Sequence, residues 1–188
     1  MLPQLETPRL LLREVALGDG PALQAFQSMP SYATRQAVEP EEFADGTLRV
    51  SRYLQYRGEG ERRRLFVYVA IPRGDHRVIG TVNLSRLAPG VGSLGIGISE
   101  THAGRGLASE MAARLIAFGF EDLKLHRIEA DVALENAQCV RLLERLGMVR
   151  EGVLRDCIRA QNRWWTEAKY AILEDEYAHR AASFCAEA

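Results

Sequence analysis

The sequence predicts an α+β (mixed α/β) domain in which a mostly antiparallel sheet is flanked by helices. Segments with helical and strand periodicity alternate in the order β-α-α-β-β-β-α-β-α-β-β, which indicates about seven strands and four helices. Three of the strands follow one another with only short turns between them, as in an antiparallel meander. The 188 residues are expected to form a single domain over 1–188, large enough to bury a core without disulfides.

The first third of the chain predicts one strand followed by two helices. Residues 8–14 (PRLLLRE) have the composition of a short strand. The next segment, GDGPALQAF, predicts a helix that Asp19 or Gly20 caps and that has proline in its first turn. A second helix is predicted over 40–56, because two glutamates follow its initial proline at the positive end of the helix dipole.

The middle of the chain predicts the meander and then a long helix. Residues 64–71, 77–87 and 93–99 are the three strands, and the first of them is apolar on both faces, as in a central strand. Apolar residues then recur at helical spacing over 105–122.

The last third predicts a strand, a short helix and a closing pair of strands. Alternating apolar residues mark a strand over 126–133, and a helix beginning at Asn136 ends at Gly147. Two strands, about 149–159 and 164–173, and a polar tail complete the chain.

Charge and cysteine usage exclude several classes of function. The chain has 24 basic and 25 acidic side chains, so no basic excess is available for nucleic-acid binding. Cys139, Cys157 and Cys185 form no closely spaced pair, which fits a reducing compartment and argues against a disulfide framework or a metal site. No signal peptide or membrane-length apolar run is present, and a cytoplasmic protein without membrane partners is expected.

The segment SLGIGISETHAGRGLASE is the most informative part of the sequence. Gly95 and Gly97 lie two residues apart, so they leave one strand face bare, and such glycines weaken a strand unless something approaches the backbone. Gly104 and Gly106 open the following helix, where backbone N–H groups can form a concave site for phosphate and Arg105 can add a charge. The alternative is that these glycines only make a tight turn.

Two common phosphate-binding motifs do not match this segment. A Walker loop needs a Gly-Lys-Ser/Thr ending, and GRGLAS has no lysine. A dinucleotide-binding fingerprint needs a third glycine where this chain has Ser109. The segment therefore predicts a pyrophosphate site of another type.

Further along, the helix sequence NAQCVRLLERLGM and the strand sequence REGVLR add to the glycine loop. With TPRLLLREV at 7–15 and KYAILEDEY at 169–177, this ordered set resembles the GNAT acyltransferase superfamily, in particular its RimJ/RimL-type branch of ribosomal-protein N-acetyltransferases. The resemblance implies a twisted sheet of about seven strands that splays between the family's fourth and fifth strands.

The resemblance implies acetyl-CoA as cofactor, bound in that splay. Backbone groups of Ile96 and Ile98 would pair with the pantetheine arm, and Asn136 would contact the same arm, a role compatible with capping its helix. Amides of residues 103–108 would hold the pyrophosphate, although the family usually has Gln or Arg at Ala103. The residues so assigned are Gly95, Ile96, Gly97, Ile98, Ala103, Gly104, Arg105, Gly106, Leu107, Ala108, Ser109 and Asn136.

The catalytic positions of the family are only partly matched. Many members have a tyrosine as general acid where this chain has Leu143, and the RimL-like branch has a serine where it has Cys139. A thiol can donate a proton to the departing CoA sulfur because the two have similar pKa values. The alternative is that Cys139 is a small core residue.

The general base and the oxyanion donor are less well defined. A glutamate of RimL-like enzymes aligns with Ile158, so Asp156 is the best substitute, with Glu100 and His102 as weaker candidates. Deprotonation by bulk water is a further alternative. The resemblance makes the backbone N–H of Ile98 the donor to the oxyanion.

The expected activity is direct acetyl transfer to an amine in a ternary complex, with a protein N-terminal α-amine as acceptor. Small amines such as polyamines or aminoglycosides are alternative acceptors. A non-catalytic acyl-CoA-binding module is a further alternative, motivated by Leu143 and Ile158. Related enzymes are frequently dimers, so the resemblance allows a homodimer.

Overall fold

An eight-stranded sheet forms the centre of the fold. In the computed structural model, which describes residues 2–29, 32 and 35–179, its strands lie in the order β1-β2-β3-β4-β5-β6-β8-β7. The strands are β1 (Leu5–Glu6), β2 (Leu10–Glu14), β3 (Leu65–Pro72), β4 (Gly80–Ala88), β5 (Val91–Ile98), β6 (Arg127–Ala133), β7 (Val149–Ala160) and β8 (Arg163–Leu173). Every neighbouring pair is antiparallel except β5 and β6, which are parallel. The predicted fold class is confirmed; the additional strand, β1, is too short to show an alternating pattern.

Helices flank the sheet. They are α1 (Gly20–Gln27), α2 (Gly46–Tyr56), α3 (Leu107–Glu121) and α4 (Ala137–Arg145). Residues 174–179 are also helical, where the sequence predicted a polar tail. Cys185, the third cysteine of the sequence, lies outside the described residues.

The predicted helix over 40–56 is in fact two elements. Pro40–Phe43 form a 3₁₀ turn, and α2 begins only at Gly46. Asp45 starts this helix, because its carboxylate accepts a hydrogen bond from Leu48 N at 2.8 Å. The two glutamates of the expected first turn therefore belong to the preceding turn.

Asp19 precedes α1 as predicted, but its side chain does not cap the helix. Its two carboxylate oxygens accept hydrogen bonds from the Arg13 guanidinium at 2.7 and 2.8 Å, and one also accepts from Ala16 N at 2.8 Å. Burial acts to raise the pKa of Asp19, yet these three donors lower it below its ordinary value. The buried carboxylate thus ties β2 to the start of α1.

The two faces of the sheet are covered differently. One face packs against α3 and α4 in the main core, and α1 and α2 cover β3 on the other. The main core includes Leu84, Leu94, Met111, Leu115, Ile128, Ala130, Leu143 and Tyr170. The smaller cluster under α1 and α2 includes Leu23, Phe26, Val50, Val67 and Val69. A third cluster, of Ala37, Ala133, Ala160 and Trp165, covers the adjoining ends of β6, β7 and β8. Farther along these strands on the same face, Asp131 and Leu154 are exposed.

The sheet opens between β5 and β6. Their pairing is confined to Val91–Ser93 against Arg127–Glu129, although β5 continues to Ile98 and β6 continues to Ala133. This is the splay that was predicted between the family's fourth and fifth strands. The additional strand β1 makes these β5 and β6 in this structure. Backbone groups along the second half of β5 are therefore left without a strand partner on that side.

A close approach of α1 and α2 depends on two glycines. A Cβ on Gly46 would lie 2.9 Å from Gln24 N and closer still to the carbonyl oxygen of Gly20. Both of these neighbours are backbone atoms of α1, so neither can move aside without shifting that helix. A Cβ on Gly20 would in turn meet backbone atoms of Thr47 on α2. Gly20 and Gly46 therefore set the distance between the two helices.

We expect Gly46→Ala to destabilise the fold by about 1–3 kcal/mol, because the added methyl group overpacks this contact. Gly18→Ala is the matched control, since a Cβ on Gly18 meets nothing within 4 Å. Chemical denaturation of both variants measures the effect. Equal stability of Gly46→Ala and the control would contradict the backbone contact.

Candidate active site

The splay between β5 and β6 leads into a cavity of about 400 Å³. It is walled by both strands, the start of α3, α4, and residues 35–37. The predicted cofactor residues that line it are Gly95, Ile96, Gly97, Ile98, Ala103, Gly104, Gly106, Ala108, Ser109 and Asn136. Arg105 is exposed beside the cavity, and Leu107 packs into the main core instead.

The backbone of β5 presents hydrogen-bonding groups to this cavity. Ser99 N donates to the Ile79 carbonyl at 2.7 Å, on the side of β4. Successive N–H groups of a strand alternate between its two edges, so the N–H groups of Ile98 and Ile96 are directed to the opposite edge, where β6 has diverged. These are the groups that the sequence assigned to the cofactor arm and the oxyanion, and those roles stay predictions.

The glycine loop before α3 has the geometry of an anion site. Gly104 and Gly106 adopt left-handed conformations, with φ of 74° and 77°. Gly106 is the N-cap residue of α3 and has no side chain to occupy the helix N–H groups, while the space beside Gly104 is open. Free N–H groups at the start of a fifteen-residue helix suit a pyrophosphate, so the chain fits the expected cofactor at this end.

Arg9 supports this loop, a contact that sequence reasoning missed. Its guanidinium Nη1 donates to the Arg105 carbonyl at 2.9 Å, and Nε donates to Glu110 on α3 at 2.6 Å. Glu110 also accepts from the Thr7 hydroxyl at 2.6 Å. Arg9 belongs to the motif TPRLLLREV, but nothing in the local pattern indicates a partner about 100 residues away.

Asn136 begins α4 and also anchors the segment that crosses the cavity. Its Oδ1 accepts from Cys139 N at 3.2 Å, which confirms the predicted cap, and its Nδ2 donates to the Arg35 carbonyl at 3.2 Å. We call residues 35–39 the strap. Its other end is held by Gln161 in the β7–β8 turn, whose Nε2 donates to the carbonyls of residues 36 and 38 at 2.8 and 3.0 Å.

The glycine face of β5 is not bare, contrary to the sequence prediction. A Cβ on Gly95 would lie 2.5 Å from the Asn83 side chain, and one on Gly97 would collide with the Tyr32 hydroxyl. The glycines are required because these two side chains occupy the space. Burial raises the pKa of Tyr32 to about 12, so the phenol keeps its proton at neutral pH.

Cys139 lines the cavity and also packs against the main core. Burial raises the pKa of its thiol to about 11, so it carries a proton that it can donate at neutral pH. Leu143, at the position of the family tyrosine, is buried beside it. The geometry is compatible with both predicted roles of Cys139, proton donor and core residue.

Asp156, the predicted base, does not line the cavity. The β7 register shifts between Leu154 and Ile158, and Asp156 lies in this irregular stretch with φ of 49° and an exposed side chain. The alternation that placed Asp156 on one face with Ile158 is broken there. Of the weaker candidates, Glu100 lines the cavity and His102 does not.

Two carboxylates that the sequence analysis did not consider line the cavity instead. Asp131 lies on β6 and Glu167 on β8, on the sheet face that carries Gly95 and Gly97. Burial, and then the neighbouring charge of Asp131, raise the pKa of Glu167 above its ordinary value. An alternating strand pattern shows that Glu167 faces away from the core, but not that this face borders a cavity.

The described part of the chain contains neither a candidate metal cluster nor a membrane-spanning helix. No group of three or more His, Cys, Asp or Glu side chains there could hold a metal ion. None of the helices in the same residues is long and apolar enough to cross a membrane.

Comparison with known proteins agrees with the geometry. Residues 9–149 match the family described as the acetyltransferase (GNAT) domain. The chain belongs to this family. It is 32% identical, over 93% of its length and 98% of the relative's, to an uncharacterized N-acetyltransferase, p20, from Bacillus licheniformis. The predicted family and acyltransferase class are confirmed, and the acyl donor of GNAT enzymes is acetyl-CoA.

Solved structures of GNAT enzymes have the same fold. The spermidine N-acetyltransferase of Vibrio cholerae, solved with CoA and spermine, superposes with a TM-score of 0.78 at 25% identity, over 92% of this chain and 99% of that one. The ribosomal-protein-S5-alanine acetyltransferase of Vibrio fischeri gives 0.80 at 19% identity, over 93% and 98%. These two enzymes are named for different acceptors.

We expect Arg9→Ala to raise the Kd for CoA about tenfold, which corresponds to about 1.4 kcal/mol. The variant loses the bond to the Arg105 carbonyl and leaves Glu110 uncompensated near the phosphates. Isothermal titration calorimetry measures the Kd, and Arg77→Ala is the control because Arg77 forms an ion pair with its near neighbour Asp75 on the surface. A Kd equal to that of the control would show that the loop does not need Arg9.

We expect Cys139→Ala to lower kcat at least tenfold without changing CoA affinity, because the thioester sulfur loses its proton donor. Cys139→Ser keeps a donor and should retain most of the rate. Val140→Ala controls for lost packing, since Val140 contacts the same core but does not line the cavity. If Cys139→Ala turns over like Val140→Ala in steady-state assays, Cys139 is a core residue only.

Proposed function

We propose that this enzyme acetylates a protein or peptide N-terminal α-amine, as in the RimJ/RimL-type branch, by direct transfer from acetyl-CoA in a ternary complex. The observation that carries the choice of acceptor is the ion pairing of the three carboxylates that line the cavity. A site for one ammonium group needs one carboxylate that no cation of the protein already neutralises. A site for a polyamine needs several.

One cavity carboxylate lacks an ion-pair partner within the described residues. Glu100 lies 3.7 Å from the Arg35 guanidinium, and Asp131 lies 3.0 Å from the Lys169 ammonium. Glu167 has no cation within ion-pair distance among those residues. One carboxylate without an ion-pair partner matches a single positive charge, as on the α-amine of a peptide.

The surface beside Glu167 also suits a peptide. Leu154, the cross-strand partner of Glu167, is 47% exposed on the same face of the β7–β8 pair. Next to it, Arg127 and Lys169 pair with Glu129, Glu151 and Asp131 to form a mixed-charge surface. A peptide can use both signs of this surface and cover the exposed leucine.

Acetylation of a polyamine is the second candidate. Three carboxylates line the cavity, and one structural neighbour was solved with spermine. The other neighbour, named for the S5 alanine, supports the peptide.

The acceptor is tested by mass spectrometry after incubation with acetyl-CoA. The pool contains peptides with varied free N-termini, the same peptides with blocked N-termini and an internal lysine, spermidine, and an aminoglycoside. Acetylation of free N-termini supports the proposal. Acetylation of spermidine or the aminoglycoside alone would overturn the proposed acceptor, although the protein would still be an acetyltransferase.

We expect Leu154→Asp to change acceptor preference, because it places a second uncompensated carboxylate beside Glu167. The kcat/KM for a peptide should fall about tenfold relative to that for spermidine. Leu87→Asp is the matched control, since Leu87 is a similarly exposed leucine at the far end of β4. An unchanged ratio of the two kcat/KM values would show that acceptors do not lie along this face.

A further inference from the structure

The cavity reaches both faces of the open sheet, and each face presents different chemistry. Cys139 belongs to α4, which packs on the face with the main core. Gly97, Asp131 and Glu167 lie on the other face, as the strand registers require. A donor thioester lying in the splay would therefore have a thiol on one side and a carboxylate on the other.

Tyr32 and Glu167 bound the second face from opposite ends. Tyr32 lies directly over Gly97 on β5 and packs edge-on against Phe26 and Phe43, which hold its ring in place. Glu167 lies across the splay on β8, beside Ala133 of β6. Both side chains line the cavity, so an amine that approaches the splay from this face passes between them.

The groups around Glu167 leave its carboxylate available. Asp131 faces it from β6, Lys169 lies two residues away on β8, and Arg35 of the strap lines the same cavity. From β7, the Cys157 thiol lies 3.9 Å from Glu167 Oε2, a weak contact. Lys169 is already engaged by Asp131 and Glu129 at 3.0 Å each.

We propose that Glu167 is the catalytic carboxylate that binds the acceptor ammonium and accepts its proton. This assignment rests on the proposed function only in requiring an amine acceptor, and it holds for any amine that the enzyme acetylates. It replaces Asp156, which the structure places outside the cavity.

Acetyl transfer begins at the acceptor ammonium. The ammonium gives one proton to Glu167, which leaves a neutral amine with a lone pair. The amine nitrogen forms a bond to the thioester carbonyl carbon, the carbon–sulfur bond breaks, and the sulfur takes a proton from the donor on the α4 side. The second amine proton passes to solvent. Glu167 then releases its proton and the donor on the α4 side regains one, so an ammonium and acetyl-CoA yield the amide, CoA and one proton.

The direction of the shift at Glu167 predicts the pH dependence. As pH is lowered, the carboxylate becomes protonated and kcat/KM should fall. Because the pKa of Glu167 is raised, this fall should begin at a higher pH than it would with an ordinary glutamate. Without the base, only the fraction of acceptor that is already neutral reacts, and this fraction grows as pH approaches the amine pKa, about 8 for an α-amine.

The test is Glu167→Gln, which keeps the shape and removes the charge. We expect kcat/KM at pH 7 to fall about 100-fold or more, the loss to shrink toward pH 9, and the Kd for CoA to stay unchanged. Glu135→Gln removes an equal charge from an exposed ion pair with Arg163 near the site and should keep the full rate.

The assay uses whichever amine the acceptor screen identifies, so failure of the peptide proposal and failure of this one are separate results. A Glu167→Gln enzyme with the pH profile and kcat/KM of Glu135→Gln would overturn the assignment. A loss of rate that is equal at all pH values would also overturn it, because it would show a structural role. Unchanged CoA affinity and thermal stability establish that the variant is folded.

Discussion

The loss of pairing between β5 and β6 is the constraint on which the site depends. A continuous sheet would satisfy the backbone groups of Ile96 and Ile98 internally and leave no space for a ligand. Because β6 diverges after Glu129, these groups face a cavity, and side chains from both sheet faces reach it. The main core holds the two strands in this open arrangement by packing α3 and α4 beneath them.

Long-range polar contacts complete the cavity. Arg9, just before β2, pairs with Glu110 of α3 beside the glycine loop, and the strap joins α4 to the β7–β8 turn. Each contact gives a modest free energy alone, but together they determine where the glycine loop and the strap lie. A catalytic site that binds two substrates gains from such positioning, because the reacting atoms must meet at a defined distance.

The glycine loop could be predicted from sequence, and the carboxylates that line the cavity could not. The glycine loop and the Asn136 cap are local motifs, in which a few adjacent residues determine the backbone geometry. The position of Asp156 outside the cavity follows instead from a register shift in β7, which a simple alternation of residues does not encode. The role of Tyr32 was hidden for a similar reason, since its contact with Gly97 bridges more than sixty residues.

The sequence by itself determined the fold class, the order of the main elements, the family resemblance and the glycine loop, because periodicity and turn residues act over short stretches of chain. It also indicated that Gly95 and Gly97 needed close approach by something, without showing that the neighbours are Asn83 and Tyr32. The tertiary structure decided which side chains face the splay and which cavity carboxylate has no ion-pair partner among the described residues. Those properties depend on strand register and on contacts between residues far apart in the chain, and only the folded chain brings these together.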